Sequence, residues 1–199
     1  MRIAILVTGL WLLSSACTQV TPPQHTRKVL LVQPFSDCNP TLTATIYEQI
    51  RQIYPSTILR PPIELPRQAW HAARNRYKAD TLIRYLGQPY GADTVVIGLT
   101  HYDISTSSKK GHQDWGVMGL GYCPGNACVA STFRLKRNKV PDQFYKVAIH
   151  ELGHTQGLPH CPDTTCFMRD AKGGNPIDEE KHFCQACRQH LVKKGWQLL

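Results

Sequence analysis

The chain has 199 residues, 42% of them apolar and 19% charged, with 14 glycines and 14 prolines. That suffices for one domain with its own core and excludes wholesale disorder, a collagen-like helix and a coiled coil. Lys and Arg outnumber Asp and Glu by 23 to 14, a formal charge of +9, and the compositional extras are eight cysteines and nine histidines.

The N-terminus reads as an export signal. Arg2 supplies a positive start, residues 3–13 an apolar stretch too short to span a bilayer, and Ser14, Ser15 and Ala16 a small-residue cleavage site. Residues 1–16 are therefore expected to be removed. Cys17 follows at once, as in a bacterial lipoprotein signal, although Ser14 stands where such signals usually carry Leu. The favoured expectation is lipidation of Cys17, with residues 17–27 as a polar tether to the cell envelope or periplasmic face. Ordinary cleavage and secretion is the alternative. Membrane contact is expected only through that anchor.

Residues 28–35 (KVLLVQPF) form a near-continuous apolar run and predict a buried strand. A helix follows over 43–54, with Ile46, Ile50 and Ile53 on one stripe. Residues 57–59 suggest a second strand before Pro61 and Pro62, residues 72–86 a helix, and residues 93–99 (DTVVIGL) another buried strand. A polar loop over 105–112 leads to strands over 115–120 and 129–135. Between these, Cys123 and Cys128 flank a Pro-Gly turn, and in an exported protein a disulfide between them is favoured over two free thiols. Arg134, Lys136, Arg137 and Lys139 crowd together without the interleaved aromatics of a nucleic-acid platform, so nucleic acid is disfavoured and a solvated basic surface expected.

The next helix, over 141–157, carries the chemistry. Pro141 suits a first helical position and Asp142 the positive end of the dipole. His150 and His154 lie one turn apart on one face, so both imidazoles can reach one metal, with Glu151 beside them. Phe144, Tyr145, Ala148 and Leu152 fall on the opposite side. Gly157 can take a positive φ, stop the helix and return the chain so that His160 approaches the same ion. Three neutral nitrogen ligands leave one coordination position open, as in catalytic zinc sites. Beyond them, Cys161, Cys166, Cys184 and Cys187 suit a closed tetrahedral zinc site, with two disulfides as the rival reading.

The run from His150 to Cys187 resembles the archaemetzincin signature: H-E-x-x-H-x-x-G-x-x-H, then Cys161, then the C-x-M of Cys166 to Met168, then the C-x-x-C of Cys184 and Cys187. The spacer between Met168 and Cys184 is slightly shorter than that family's. The resemblance implies an α+β, metzincin-like fold: a twisted mixed β-sheet with helices, a central active-site helix, and a small C-terminal lobe stapled by a structural zinc. Residues 28–199 would be one catalytic domain, 28–157 its upper lobe and 158–199 the lower. It implies two zinc ions, a catalytic one on His150, His154 and His160 and a structural one on Cys161, Cys166, Cys184 and Cys187. Glu151 would be general base and acid toward a zinc-bound water, Met168 the floor beneath the metal, and residues 129–135 the edge strand along the cleft.

The activity so implied is zinc-dependent hydrolysis of peptide bonds in a peptide or protein substrate by a monomer. A catalytically weak, zinc-stabilised peptide-binding protein of the same fold and a basic zinc module for an acidic polymer are the alternatives. The remaining histidines are given no role. Cys38 is either a free thiol or, without lipidation, a partner for Cys17.

Overall fold

A computed structural model describes residues 28–107 and 114–198. The export signal, the tether and Cys17 lie outside the described residues. Among the described residues no helix is long and apolar enough to cross a membrane.

The chain begins with β1 (Val29–Pro34), α1 (Pro40–Ile53) and β2 (Thr57–Leu59). α1 starts earlier than the periodicity predicts because Asn39 caps it, its side chain accepting from the Leu42 N–H, with Pro40 in the first turn. The helix expected over 72–86 shortens. A 3-10 turn at Ala72–Arg74 ends on Asn75 in the left-handed region, and β4 (Arg76–Lys78) pairs antiparallel with β3 (Trp70–His71). Only then does α2 (Ala79–Gly87) begin. Local helical spacing yields here to strand pairing by Tyr77, which sits opposite Trp70 and Ile104.

β5 (Thr94–Thr100) and β6 (Ile104–Thr106) follow. The single strand expected over 115–120 is two, β7 (Trp115–Val117) and β8 (Gly119–Gly121), which part at Met118 and join different sheets. β9 (Ala127–Ser131), α3 (Val140–Thr155) and α4 (Gln185–Lys193) complete the chain.

The main sheet runs β2-β1-β5-β9-β8, parallel except for β8, which is antiparallel to β9. A smaller sheet runs β3-β4-β6-β7. β9 is therefore an inner strand, and the expectation that residues 129–135 form the cleft edge is corrected. The chain leaves β9 at Ser131 for a turn in which Leu135 bonds back to Thr132, and β8 takes the edge.

Successive residues of the inner strands point to opposite faces. Leu30, Val32, Val95, Ile97, Cys128 and Ala130 face α1 and α3, whereas Leu31, Val96 and Val129 face α2. Both faces are covered, which explains the uninterrupted apolar runs in the sequence. The α1/α3 core continues through Leu158, Met168, Ile177, Phe183 and Trp196, so the C-terminal segment shares it. Trp196 stacks edge-on with Tyr54, and the Gln197 N–H bonds to the Ile53 carbonyl.

Candidate metal centre and active site

α3 is buried through Phe144, Ala148 and Leu152, as its apolar face requires, and presents Glu151 and His154 toward β8, with His150 lining the same cleft. It stops where Gly157 adopts φ +93°, with Gly157 N–H bonded to His154 O and Leu158 N–H to Gly153 O. The returning chain brings His160 back to the helix. The three ring centroids stand 4.7, 4.9 and 5.4 Å apart, and one ligand nitrogen from each ring lies within 4.8 Å of the others.

Two main-chain carbonyls fix how these rings present themselves. His150 Nδ1 lies 2.6 Å from Phe167 O, and His154 Nδ1 lies 2.7 Å from Leu158 O. A carbonyl only accepts, so each Nδ1 carries the proton and each Nε2 keeps a lone pair directed at the common centre. Burial, aided by the neighbouring imidazoles, pushes His150 down to about 3 and lowers His154 as well, so both rings are neutral. His160 is more exposed, with Nδ1 3.8 Å from Asp170 Oδ2. Neutral, oriented imidazoles held by outer hydrogen bonds are the donor set that zinc requires.

Glu151 is almost wholly buried, and burial raises its carboxyl to about 8 against the opposing hydrogen bond from the Gly121 N–H. The carboxyl lies over Gly119, so β8 is both the sheet edge and the seat of the acid. Met168 is fully buried and packs its sulfur against Gly153, between the two helical histidines.

The four cysteines gather on the far side of His160. All are free thiols, and one ligand sulfur from each lies within 4.8 Å of the rest. Cys161 Sγ and Cys184 Sγ are 3.7 Å apart. A disulfide requires about 2.05 Å, whereas two thiolates on one tetrahedral zinc at about 2.3 Å sit about 3.8 Å apart. The main-chain N–H groups of Met168 and Cys184 both point at Cys166 Sγ, as they would toward a thiolate. The geometry fits a tetrahedral ion and not a pair of disulfides.

The disulfide expected between Cys123 and Cys128 is not formed; both thiols are free. Cys128 belongs to β9 and points into the core, while Cys123 lies beyond β8 and donates toward the Leu158 carbonyl at 3.3 Å. Cys38 is a buried free thiol that accepts from Thr43, and burial raises its pKa. The basic run is exposed, as expected, and makes surface ion pairs. Arg134 pairs with Asp103, and Lys136 and Lys139 both reach Asp178.

The histidines and Glu151 line a cleft of about 870 Å³ between α3, β7 and β8 on one side and residues 169–177 on the other. The profile of peptidase family M54 matches residues 34–193. The chain belongs to peptidase family M54. Among curated relatives, the archaemetzincin of Methanopyrus kandleri is 33% identical over 139 residues, covering 66% of this chain and 77% of that protein. The archaemetzincin of Halobacterium salinarum is 26% identical over 172 residues, covering 79% and 96%. The crystal structure of the Methanopyrus kandleri archaemetzincin superposes with a TM-score of 0.71 at 27% identity, covering 86% of this chain and 97% of that one. That of Archaeoglobus fulgidus, complexed with malonate, gives 0.69 at 24% identity, covering 81% and 98%. The archaemetzincin resemblance and the α+β fold it implied are thereby borne out. As an M54 member, the chain is a zinc metallopeptidase that acts on a peptide or protein.

Sequence reasoning did not find the carbonyls of Phe167 and Leu158, because main-chain groups leave no trace in residue type. It also missed Gly119, where the Gly-Leu-Gly of β8 was the available signal. Glu180, which lines the cleft, carried no signal in the sequence.

Proposed function

We propose that His150, His154 and His160 hold the catalytic zinc, that Cys161, Cys166, Cys184 and Cys187 hold a second, structural zinc, and that Glu151 moves the proton. When bound, the catalytic ion supplies a Lewis acid that polarises the scissile carbonyl and lowers the pKa of its water to about 7. Glu151 takes a proton from the attacking water and returns it to the departing amine. The Gly121 N–H holds the carboxyl, and the edge of β8, which has no second strand partner among the described residues, receives an extended peptide as a further strand. The single observation that carries this reading is the pair of carbonyls that fix both helical histidines with Nε2 toward one point.

The test is Glu151→Gln assayed on an unbiased peptide library, with metal analysis. Two zinc ions per chain should remain while turnover falls about 10²- to 10⁴-fold. Unchanged turnover would remove Glu151 from the mechanism. Export to the cell envelope, with Cys17 lipidated, belongs to the same proposal and is supported by Arg2, the apolar stretch and the small residues before Cys17. Mass analysis of the mature N-terminus tests it.

A further inference from the structure

The cleft extends past the metal site toward the start of α3. Lys146 and Val147 lie one turn before His150 and Glu151, and the cavity there is closed by Ile177 and Glu180, with Trp115 of β7 against Gly173. Glu180 is only 5% exposed, yet among the described residues its carboxylate takes no hydrogen bond and no ion pair. Its oxygens are not sealed in the core but open onto the cleft, where a bound group can complete them.

The two cations that act on it, Lys146 and Arg169, are already engaged. Lys146 binds Asp142 at 2.9 Å and donates to the Ile177 carbonyl, Arg169 binds Glu179, and Arg134 makes a forked pair with Asp103. Lys172 is exposed at the rim. Lys146 and Arg169 only partly offset the effect of burial, which pushes the Glu180 carboxyl up to about 7. A further cation brought beside it would restore the charged form. The apolar walls from Val147, Ile177 and Trp115 suit the methylene stem of a long side chain with a charged tip.

We propose that Glu180 is a specificity-determining residue that receives the lysine or arginine side chain of a peptide bound close to the metal site. The inference rests on the peptidase reading for the word substrate, but the pocket is tested by binding alone. The probe is a set of peptide hydroxamates, which chelate zinc, carrying lysine, norleucine or glutamate one or two residues from the chelating group. Titrated into the zinc-loaded protein, the best lysine compound should bind about tenfold or more tightly than its norleucine counterpart, and the glutamate compound more weakly than either. Glu180→Gln, nearly isosteric, should abolish the difference, and Glu180→Asp should keep part of it. Melting temperature and zinc content establish that both variants are folded. Equal affinity of the lysine and norleucine compounds, or a lysine preference that survives in Glu180→Gln, overturns the proposal. A lysine preference lost in Glu180→Gln without cleavage of any peptide would uphold the pocket while refuting the peptidase mechanism.

Discussion

The carboxyl of Glu151 rests directly on Gly119. A Cβ at that glycine would stand 2.6 Å from both Cγ and Oε1 of Glu151 and 2.8 Å from Cδ. Real Cβ atoms do not approach so closely, and Glu151 is buried, so the side chain has little room to move away. Gly119→Ala should therefore displace the Glu151 carboxyl while leaving the three histidines in place. The expected result is a fall in kcat of about 100-fold, the scale of a misplacement near 1 Å, with catalytic zinc content unchanged. Steady-state kinetics paired with metal analysis checks it, and wild-type kcat would show that the strand does not position the acid.

Gly119 also marks the limit of what was legible in the chain. The three clustered histidines, Glu151 and the turn at Gly157 could be placed because helix geometry and a positive φ are local properties of the sequence. The inner strands were legible because they are apolar on both faces. Which strand forms the edge was not, since β8 and β9 are both short and their order depends on pairing with β5. Residues 72–78 misled for a related reason: their spacing is helical, but Tyr77 gains more from pairing with Trp70 and Ile104. Cys128, expected beside a turn and in a disulfide with Cys123, sits opposite Gly121 in a buried strand.

The two candidate metal sites are mechanically joined, which gives a second prediction. The Cys161 N–H bonds to the Met168 carbonyl at 2.7 Å, the Met168 N–H points at Cys166 Sγ, and the intervening Phe167 carbonyl holds His150. The Phe167 N–H is in turn bonded to the carbonyl of His182, two residues before Cys184. Loss of the four-thiol site through Cys184→Ser or Cys187→Ser should loosen this segment and release His150 from its carbonyl. Catalytic zinc affinity is expected to fall about 10- to 100-fold, as for other losses of an outer partner of a ligand. Competition against a chromophoric chelator measures it, and undiminished affinity would make the two sites independent.

A third prediction concerns the glycine inside the helical motif. A Cβ at Gly153 would lie 2.4 Å from Met168 Sδ and 3.2 Å from its Cε. Alanine normally favours a helix interior over glycine by about 1 kcal/mol, but overpacking a full core costs about 1–3 kcal/mol. Gly153→Ala should therefore destabilise the wild type despite the better helix former. In a Met168→Ala background, where the obstructing sulfur is gone, the same substitution should instead stabilise. Denaturant unfolding of the four proteins of this cycle checks the reversal of sign. The same direction in both backgrounds would show that Met168 does not dictate the glycine.

Asp178 supplies a prediction about acid. Its carboxylate accepts from Lys136 Nζ at 2.5 Å and Gln143 Nε2 at 2.8 Å, with Lys139 Nζ at 3.2 Å, so it ties the basic run and the first turns of α3 to the segment Ile177–Glu179. The Lys136 hydrogen bond, followed by those from Gln143 and Lys139, holds its carboxyl well below the usual carboxylate range. The unfolded chain, where an aspartate titrates near 4, then binds more protons than the folded chain between that value and the depressed one. Stability from this group is fully present above about pH 4 and is lost as the pH falls through the folded pKa. Asp178→Asn should accordingly melt below the wild type at neutral pH, and the gap should close as the pH drops below about 4. Acid release of zinc affects both proteins alike, so the difference between their melting curves isolates the aspartate. A gap that stays constant down to pH 2 would mean that the lysines do not hold the carboxylate ionised.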